Sequence, residues 1–367
     1  MASGGKKILI AGASGLVGCA LVKLFSGRPD WDVVAVSRRR PFVPLGKARH
    51  ISVDLLDRAE CARVFGAMSD VTHVGYAALN EQADDIVGGW RSAEQIGKNR
   101  AMLANLFDPL IAAARDFQHI AIVHGLKAYG NHAGAHLPIP LKEILPRHPV
   151  DNFYYDQEDY VADKQKGQGW SWTVLRPAMI AGDAIGANMN SFLVLAVFAA
   201  LRKEAGLDLP MAAGRSFLTD SSDADLIAEA ILWAGSSPNA RNEIFNVCNG
   251  DIFALHDGIA VMAEAIGLPL GEPRSYDIIA ELKAMEPLWA SMVKKYGLRA
   301  PADFDSLFGA TLQVAGGWTA EAPPGAEMAF GLASTIKIRQ AGFHACIDTH
   351  EMIRKYVRRY RELGIIP

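Results

Sequence analysis

Ile8-Leu9-Ile10-Ala11-Gly12-Ala13-Ser14-Gly15-Leu16-Val17-Gly18 is the stretch that decides the architecture. Ile8 to Ala11 reads as a buried strand, and the residues from Leu16 to Phe25 have the spacing of an amphipathic helix. The glycines between them permit a tight turn, close approach of backbone to a pyrophosphate, and close packing of helix on strand. The first amides of the helix then face an anion. Gly12, Ser14, Gly15, Leu16, Val17 and Gly18 are therefore the expected phosphate-binding positions, with an ordinary strand-to-helix turn as the alternative. Outward from this loop the alternation of strand and helix continues. Further strands are predicted at Val33 to Ser37, Ala48 to Val53, His73 to Ala77, His119 to His124, Trp172 to Leu175 and Glu243 to Val247. Helices are predicted at Ala59 to Met68, Gly97 to Asp116, Tyr155 to Lys166 and Ala224 to Trp233. That rhythm implies an α/β fold with a Rossmann-type, doubly wound parallel sheet.

Residues 1–175 are expected to form an NADP-binding Rossmann domain. Beyond Arg176-Pro177 the pattern is less regular, so 176–367 is expected to form mainly a smaller C-terminal substrate lobe, some segments of which return to the Rossmann sheet. A net charge of -3 gives no basic field for nucleic acid. The longest apolar run, Phe192 to Leu201, is about half of what a membrane span needs, so no membrane partner is expected. Cys19, Cys61, Cys248 and Cys346 lie far apart, which indicates neither a zinc site nor a disulfide framework. With no secretory leader visible in Met1 to Lys7, a cytoplasmic location is expected, and a homodimer is left open.

Cofactor choice is read at the end of the second strand, where an acidic residue would bind the 2'-hydroxyl of NAD. Here the residues are Ser37-Arg38-Arg39-Arg40, whose guanidinium groups suit the 2'-phosphate of NADPH. Asp54-Leu55, closing the third strand, is placed at the adenine amine, although an exposed helix-capping Asp is an equal reading. Tyr76 and Ala77 at the end of the fourth strand, and Pro177 and Ile180 after the sixth, are the further expected cofactor contacts. Asp223 and Asp225 read as a helix cap and a first-turn acid, and no metal is expected.

Short-chain dehydrogenases place a Tyr and a Lys four residues apart on one helix face, and Tyr160-Val161-Ala162-Asp163-Lys164 matches literally. The match is read as accidental. From Tyr160 too few positions remain before Arg176 for three helical turns, a loop and a strand. A start at Tyr154 adds roughly two turns. The candidates therefore rank Tyr154, then Tyr155, then Tyr160.

Asn152-Phe153-Tyr154-Tyr155-Asp156-Gln157-Glu158-Asp159 resembles the signature of the plant progesterone 5β-reductase and iridoid synthase family, an atypical branch of the extended short-chain dehydrogenases that reduces the C=C bond of enones. Other similar stretches are Ser222 to Glu229, Asn242 to Asp251 with its Asn249-Gly250-Asp251, Glu286 to Trp289, and the close at Gly364-Ile365-Ile366-Pro367. The resemblance implies Tyr154 as the catalytic tyrosine and Lys127, from the end of a different strand, as its lysine. A Lys ammonium and the positive nicotinamide ring are both expected to favour phenolate character at Tyr154, whose hydroxyl would stabilise an enolate oxygen.

Three departures from the family pattern bear on substrate. His124 stands where the resemblance implies a small hydroxyl residue, and either bonds the nicotinamide carboxamide or packs. Leu79 and Ala133 replace aromatic pocket residues, and Ala178-Met179 follows Arg176-Pro177 in place of Gly-Asn. The expected function is NADPH-dependent 1,4-reduction of a small-molecule enone. Reduction of a ketone or aldehyde carbonyl, an NADPH-binding regulator without turnover, and an epimerase or dehydratase, which usually carries the acidic residue missing after the second strand, are the rivals.

Overall fold

The computed structural model describes residues 5–82, 84–133, 137–325 and 331–367. The chain forms two compact units. The first gathers the residues up to Ala178 with Ala224–Val247 and Ala333–Ala345; the second gathers Met179–Asp223, Cys248–Leu332 and Cys346–Pro367.

Among the described residues the first unit holds a seven-stranded sheet of β1 (Lys6–Ala11), β2 (Trp31–Val36), β3 (Arg49–Ile51), β4 (His73–Tyr76), β5 (His119–Val123), β6 (Ser171–Pro177) and β7 (Glu243–Val247). Every pairing is parallel, in the order β7-β6-β5-β4-β1-β2-β3. The order reverses beside β1, and in a sheet of this kind ligands bind outside the carboxyl ends of the strands at such a reversal. The crossovers are α1 (Leu16–Ser26), α2 (Arg58–Phe65), α3 (Ala93–Ala113), α4 (Phe153–Gln165) and α5 (Ala224–Ala234).

Alternation along the strands sends side chains to both faces. Leu9, Val34, Val36, Val74, Ile120 and Ile122 pack with Cys61 and Phe65 of α2, Leu103, Leu106 and Phe107 of α3, and Tyr160 and Val161 of α4. On the other face α1 packs against α5. There the packing over Gly75 is close, since a Cβ would stand 3.2 Å from a Leu21 methyl. Both faces being covered explains why the strands read as continuous apolar runs.

Element ends differ from the sequence reading where side chains cap them. α4 begins at Phe153, two residues early, because Asn152 Oδ1 accepts the Tyr154 N–H at 3.0 Å. α3 begins at Ala93 and not at Gly97, with Ser92 as its cap. β3 is shorter than expected because it is an edge strand with β2 as its single neighbour.

The second unit contains the parallel strand pair Met179–Ala181 with Ser221–Asp223, the antiparallel pair Leu218–Thr219 with Phe253–Ala254, and helices that include Ser191–Glu204, Leu255–Ile266 and Thr349–Glu362. The apolar run Phe192 to Leu201 lies inside the first of these helices and is buried all round. Among the described residues no helix is long and apolar enough to cross a membrane. The Asn249-Gly250-Asp251 motif ties this unit together: Asn249 Nδ2 donates to Thr349 Oγ1 at 3.0 Å, and Asp251 accepts the Thr349 N–H at 2.8 Å.

Candidate active site

The Gly-rich loop lies at the carboxyl end of β1 and leans on its neighbours. Gly12 and Ala13 donate their N–H groups to Val36 O at the end of β2. Gly12 has φ +78°, and a Cβ on it would collide with the Ala77 carbonyl at 2.5 Å. A Cβ on Gly18 would stand 2.0 Å from Gly12 O, so both glycines are demanded by close packing of α1 on β1 and β4. α1 starts after Gly15 with no side-chain cap, which leaves its first amides for an anionic ligand. Ser14 is half-buried on the loop, whereas Leu16 and Val17 turn their side chains into the core and can offer a ligand only backbone.

Beyond β2, Arg38 and Arg39 are exposed while Ser37 is buried, its hydroxyl donating to Arg39 O at 2.6 Å and lying 3.1 Å from His50 Nε2. Asp54 is exposed, accepts the Leu56 N–H at 3.0 Å, and leaves helix capping to Asp57; Leu55 is buried. Tyr76 sends its phenol into the core, so only its backbone is left at the strand end beside Ala77. Pro177 O lies 3.6 Å from where a Gly125 Cβ would be. Ile180 belongs to the second unit, where its strand residue pairs with Ser222. The tight glycines, the uncapped helix and the exposed arginines fit a phosphorylated dinucleotide.

The structure separates the three tyrosines of α4. Tyr160 OH donates to Asp108 Oδ1 at 2.6 Å, under the Arg100 guanidinium. Tyr155 OH donates to Ala128 O at 2.8 Å and accepts from His148 N at 3.0 Å. Tyr154 OH has no partner among the described residues, and it lies 3.4 Å from the Cβ position of Gly125, where a side chain would block it. Lys127 lies in the 3₁₀ turn Leu126–Tyr129 that follows β5. Asn152 joins the two groups: the side chain that caps α4 before Tyr154 also donates to Lys127 O at 2.9 Å.

His124 lies flat on Tyr154, ring centroids 4.2 Å apart. Its Nε2 is 3.0 Å from Gln157 Oε1 and its Nδ1 is 3.4 Å from Glu158, too poorly aligned for a hydrogen bond. Both nitrogens thus face α4, and burial lowers the pKa of the ring against the pull of Glu158. Glu158 is fixed from three sides, by His124, by Arg176 at 2.8 Å and by Arg147 at 3.0 Å. Burial would raise its pKa, but the His124 and Arg176 contacts prevail and hold it at about 2. The signature around Tyr154 is in large part this anchoring of the helix, with Gln157 Nε2 donating to Asn99 O at 2.9 Å.

Two residues that sequence reasoning missed complete the site. Glu81, in the segment after β4, is buried, with its Oε1 3.4 Å from Lys127 Nζ and 3.0 Å from the indole Nε1 of Trp90. The Lys127 ammonium also lies 3.9 Å from the centroid of the Trp90 ring. The expectation of phenolate character is thereby reversed. Burial, and then the Glu81 charge, push the Tyr154 pKa up, opposed only by Arg176. Burial lowers the pKa of Lys127, against the pull of Glu81.

Leu79 is exposed and Ala133 half-buried. Asp225 pairs with Lys23 at 2.7 Å, and Asp223 is taken by Tyr356 and Lys355, so neither carboxylate is set up for a metal. No cluster of metal-ligating side chains occurs among the described residues.

A model of the NAD dependent epimerase/dehydratase family matches residues 8–248. The chain is 35% identical over 314 residues to an (S)-8-oxocitronellyl enol synthase of Nepeta racemosa, covering 79% of this chain and 77% of that one. It is 30% identical over 380 residues to the 3-oxo-Delta(4,5)-steroid 5-beta-reductase of Arabidopsis thaliana, covering 98% and 92%. Among solved structures, the UDP-glucose 4-epimerase of Thermotoga maritima superposes with a TM-score of 0.66 at 16% identity, covering 97% of this chain and 99% of that one, a likeness of fold.

Proposed function

The chain belongs to the NAD dependent epimerase/dehydratase family, and within it to the group of progesterone 5β-reductase and iridoid synthase relatives, and on that premise we propose that it uses NADPH to reduce the C=C bond of α,β-unsaturated carbonyl compounds. The observation that carries this reading is the Tyr154 hydroxyl, buried and without a partner among the described residues.

Gly12, Ser14, Gly15 and the first amides of α1 would hold the pyrophosphate, Arg38 and Arg39 the 2'-phosphate, and Asp54 the adenine. When bound, the reduced nicotinamide supplies a hydride to the β-carbon of the enone. Tyr154 donates its hydrogen bond to the carbonyl oxygen, on which negative charge grows as the C=C electrons shift toward it. A donor aimed at developing charge in a site shielded from water lowers the barrier more than it stabilises the ground state. Lys127 contributes a fixed positive charge whose reach is tempered by Glu81. The α-carbon takes its proton from solvent, which yields the saturated ketone.

The test uses NADPH deuterated at C4 with a series of small cyclic and acyclic enones. Label at the β-carbon of a saturated product is expected. Label on a carbinol carbon with the C=C retained would overturn the reading in favour of carbonyl reduction, and no cofactor consumption with any of them would favour a regulator. NADPH is expected to be preferred over NADH by more than about tenfold, since each charge-assisted contact to the 2'-phosphate contributes about 1.5 to 3 kcal/mol. Arg38→Ala with Arg39→Ala should remove that preference.

A further inference from the structure

We propose that Glu81 is the positioning residue of this site, a buried carboxylate that holds the Lys127 ammonium in place and balances its charge so that Tyr154 works as a proton-bearing donor; the proposal rests on the enone-reductase reading. Three contacts build it. Glu81 Oε1 lies 3.4 Å from Lys127 Nζ, the Trp90 indole N–H donates to the same oxygen at 3.0 Å, and the ammonium lies over the Trp90 ring at 3.9 Å from its centroid. The lysine is thus clamped between an anion and an aromatic face. The Glu81 side chain is 1% exposed, and its Oε2 has no hydrogen-bond partner among the described residues. A buried carboxylate left half-satisfied is costly to the fold, which marks it as serving the site it faces.

Burial alone would drive Lys127 toward the neutral amine, and a neutral amine would give the growing charge on substrate no support. The opposite charge of Glu81, held within contact distance, works against that. The same carboxylate opposes ionisation of Tyr154, so that one residue keeps both groups in their proton-bearing forms. The groups facing Lys127 are Glu81 from the segment after β4, Trp90, and His132 from the turn Asn131–Ala133. His132 packs edge-on against Trp90, and burial followed by the Lys127 charge lowers its pKa to about 4, so it is neutral and does not compete for Glu81. Arg176 acts on Tyr154 in the opposite sense to Glu81, but its guanidinium is committed to Glu158 at 2.8 Å.

The sign follows from the charges. Lys127 supports turnover while protonated, and that support is lost as pH rises through its folded-state pKa. Neutralising Glu81 lowers that pKa and the pKa of Tyr154 together, so the alkaline limb of the activity profile moves to lower pH.

The experiment compares the full-length wild type with Glu81→Gln and Glu81→Asp in two readouts. One is the pH profile of kcat for NADPH-dependent enone reduction. The other is NMR titration of the cofactor-free protein carrying lysine isotopically labelled at Cε, with the signal assigned by Lys127→Arg. Glu81→Gln should move the alkaline limb and the Lys127 inflection to lower pH by about 1 to 3 units, the usual effect of an opposite charge at this range. Glu81→Asp, which keeps the charge, should hold both within about one unit of wild type. A limb and an inflection that stay in place in Glu81→Gln overturn the proposal, because a purely structural role lowers activity without moving either. If Glu81→Gln does not fold, Trp90→Phe removes the indole donor to Glu81 and should shift the inflection in the same direction by less than about one unit; no shift overturns the proposal. A wild type inactive on every enone would sink the enone reading, and the NMR titration would still decide the hold of Glu81 on Lys127.

Discussion

Tyr154 and Tyr160 stand roughly two turns apart on α4, yet Tyr160 donates its hydroxyl to Asp108 at 2.6 Å while Tyr154 has no partner among the described residues. The two ends of the helix are also held by different means. Around Tyr154 the anchors are buried: Asn152 on the Lys127 carbonyl, Gln157 on Asn99, and Glu158 between His124, Arg147 and Arg176. Around Tyr160 they are peripheral, with Asp108 shared by Tyr160 and the half-exposed Lys164. Buried charges demand fixed geometry, since each must keep its partner. The rigid end is therefore the one that can present an unsatisfied hydroxyl in one place. The end tied to surface groups has its hydroxyl used up in tying it.

The sharpest way to break this comparison is to remove each hydroxyl in turn. Tyr154→Phe should lower turnover of a reactive enone by about a hundred- to ten-thousand-fold, the usual contribution of a positioned proton donor, with NADPH affinity preserved. Tyr160→Phe should leave turnover within about twofold of wild type. Steady-state kinetics beside NADPH titration checks both, and the reverse pattern would show that the literal Tyr–Lys spacing in the sequence had been the functional one.

The second effect is smaller and separates the two kinds of anchor by pH. The folded-state pKa of Glu158, about 2, is depressed below its ordinary 4.5. Its contribution is therefore fully present above about pH 4.5 and is lost as pH falls toward 2, a change of about 3 kcal/mol by linkage. Glu158→Gln is expected to be less stable at neutral pH, because Arg176 loses its buried partner. The gap between wild type and variant should then narrow as pH drops through this window. Thermal unfolding of both proteins between pH 6 and the acid limit measures it, and a constant gap would show that Glu158 is not ionised as described.

Much of this arrangement is legible in the sequence, and the part that is not has a definite cause. The loop from Gly12 to Gly18 is readable because its demands are local, set by a strand and a helix joined by a few residues. A helix that starts near Tyr154 and not at Tyr160 is readable because chain length limits what fits before Arg176. Glu81 and Trp90 are not readable. Lys127 meets Glu81 across 46 positions, and Glu81 lies in a segment of mixed polar residues with no period to mark it as buried. The same blindness misled the expectation for Tyr154. An ammonium suggests a phenolate, but burial and the Glu81 carboxylate, which both raise the Tyr154 pKa, are tertiary facts. The backbone-only role left to Tyr76 is of this kind too, since a strand end does not announce which face its last side chain takes.

The smallest expected effect lies at the Tyr160 end and concerns stability. Tyr160→Phe removes the hydrogen bond to Asp108 but keeps the ring among Phe107, Trp170 and Val161, with the Arg100 guanidinium still 3.9 Å from its centroid. No cavity forms, so the term for lost apolar packing is near zero. A hydrogen bond to a charged acceptor contributes about 1.5 to 3 kcal/mol where the stranded partner stays dry. Here it does not stay dry: the Asp108 side chain is 49% exposed and keeps Lys164 at 2.8 Å, so water replaces much of what the phenol gave. The expected loss is accordingly about 1 kcal/mol, a fall in Tm of roughly 2 °C for a chain of this size. Thermal unfolding beside a turnover assay measures it. A loss above about 3 kcal/mol would mean that the peripheral end of α4 is held as tightly as the buried one, and the contrast between the two ends would fail.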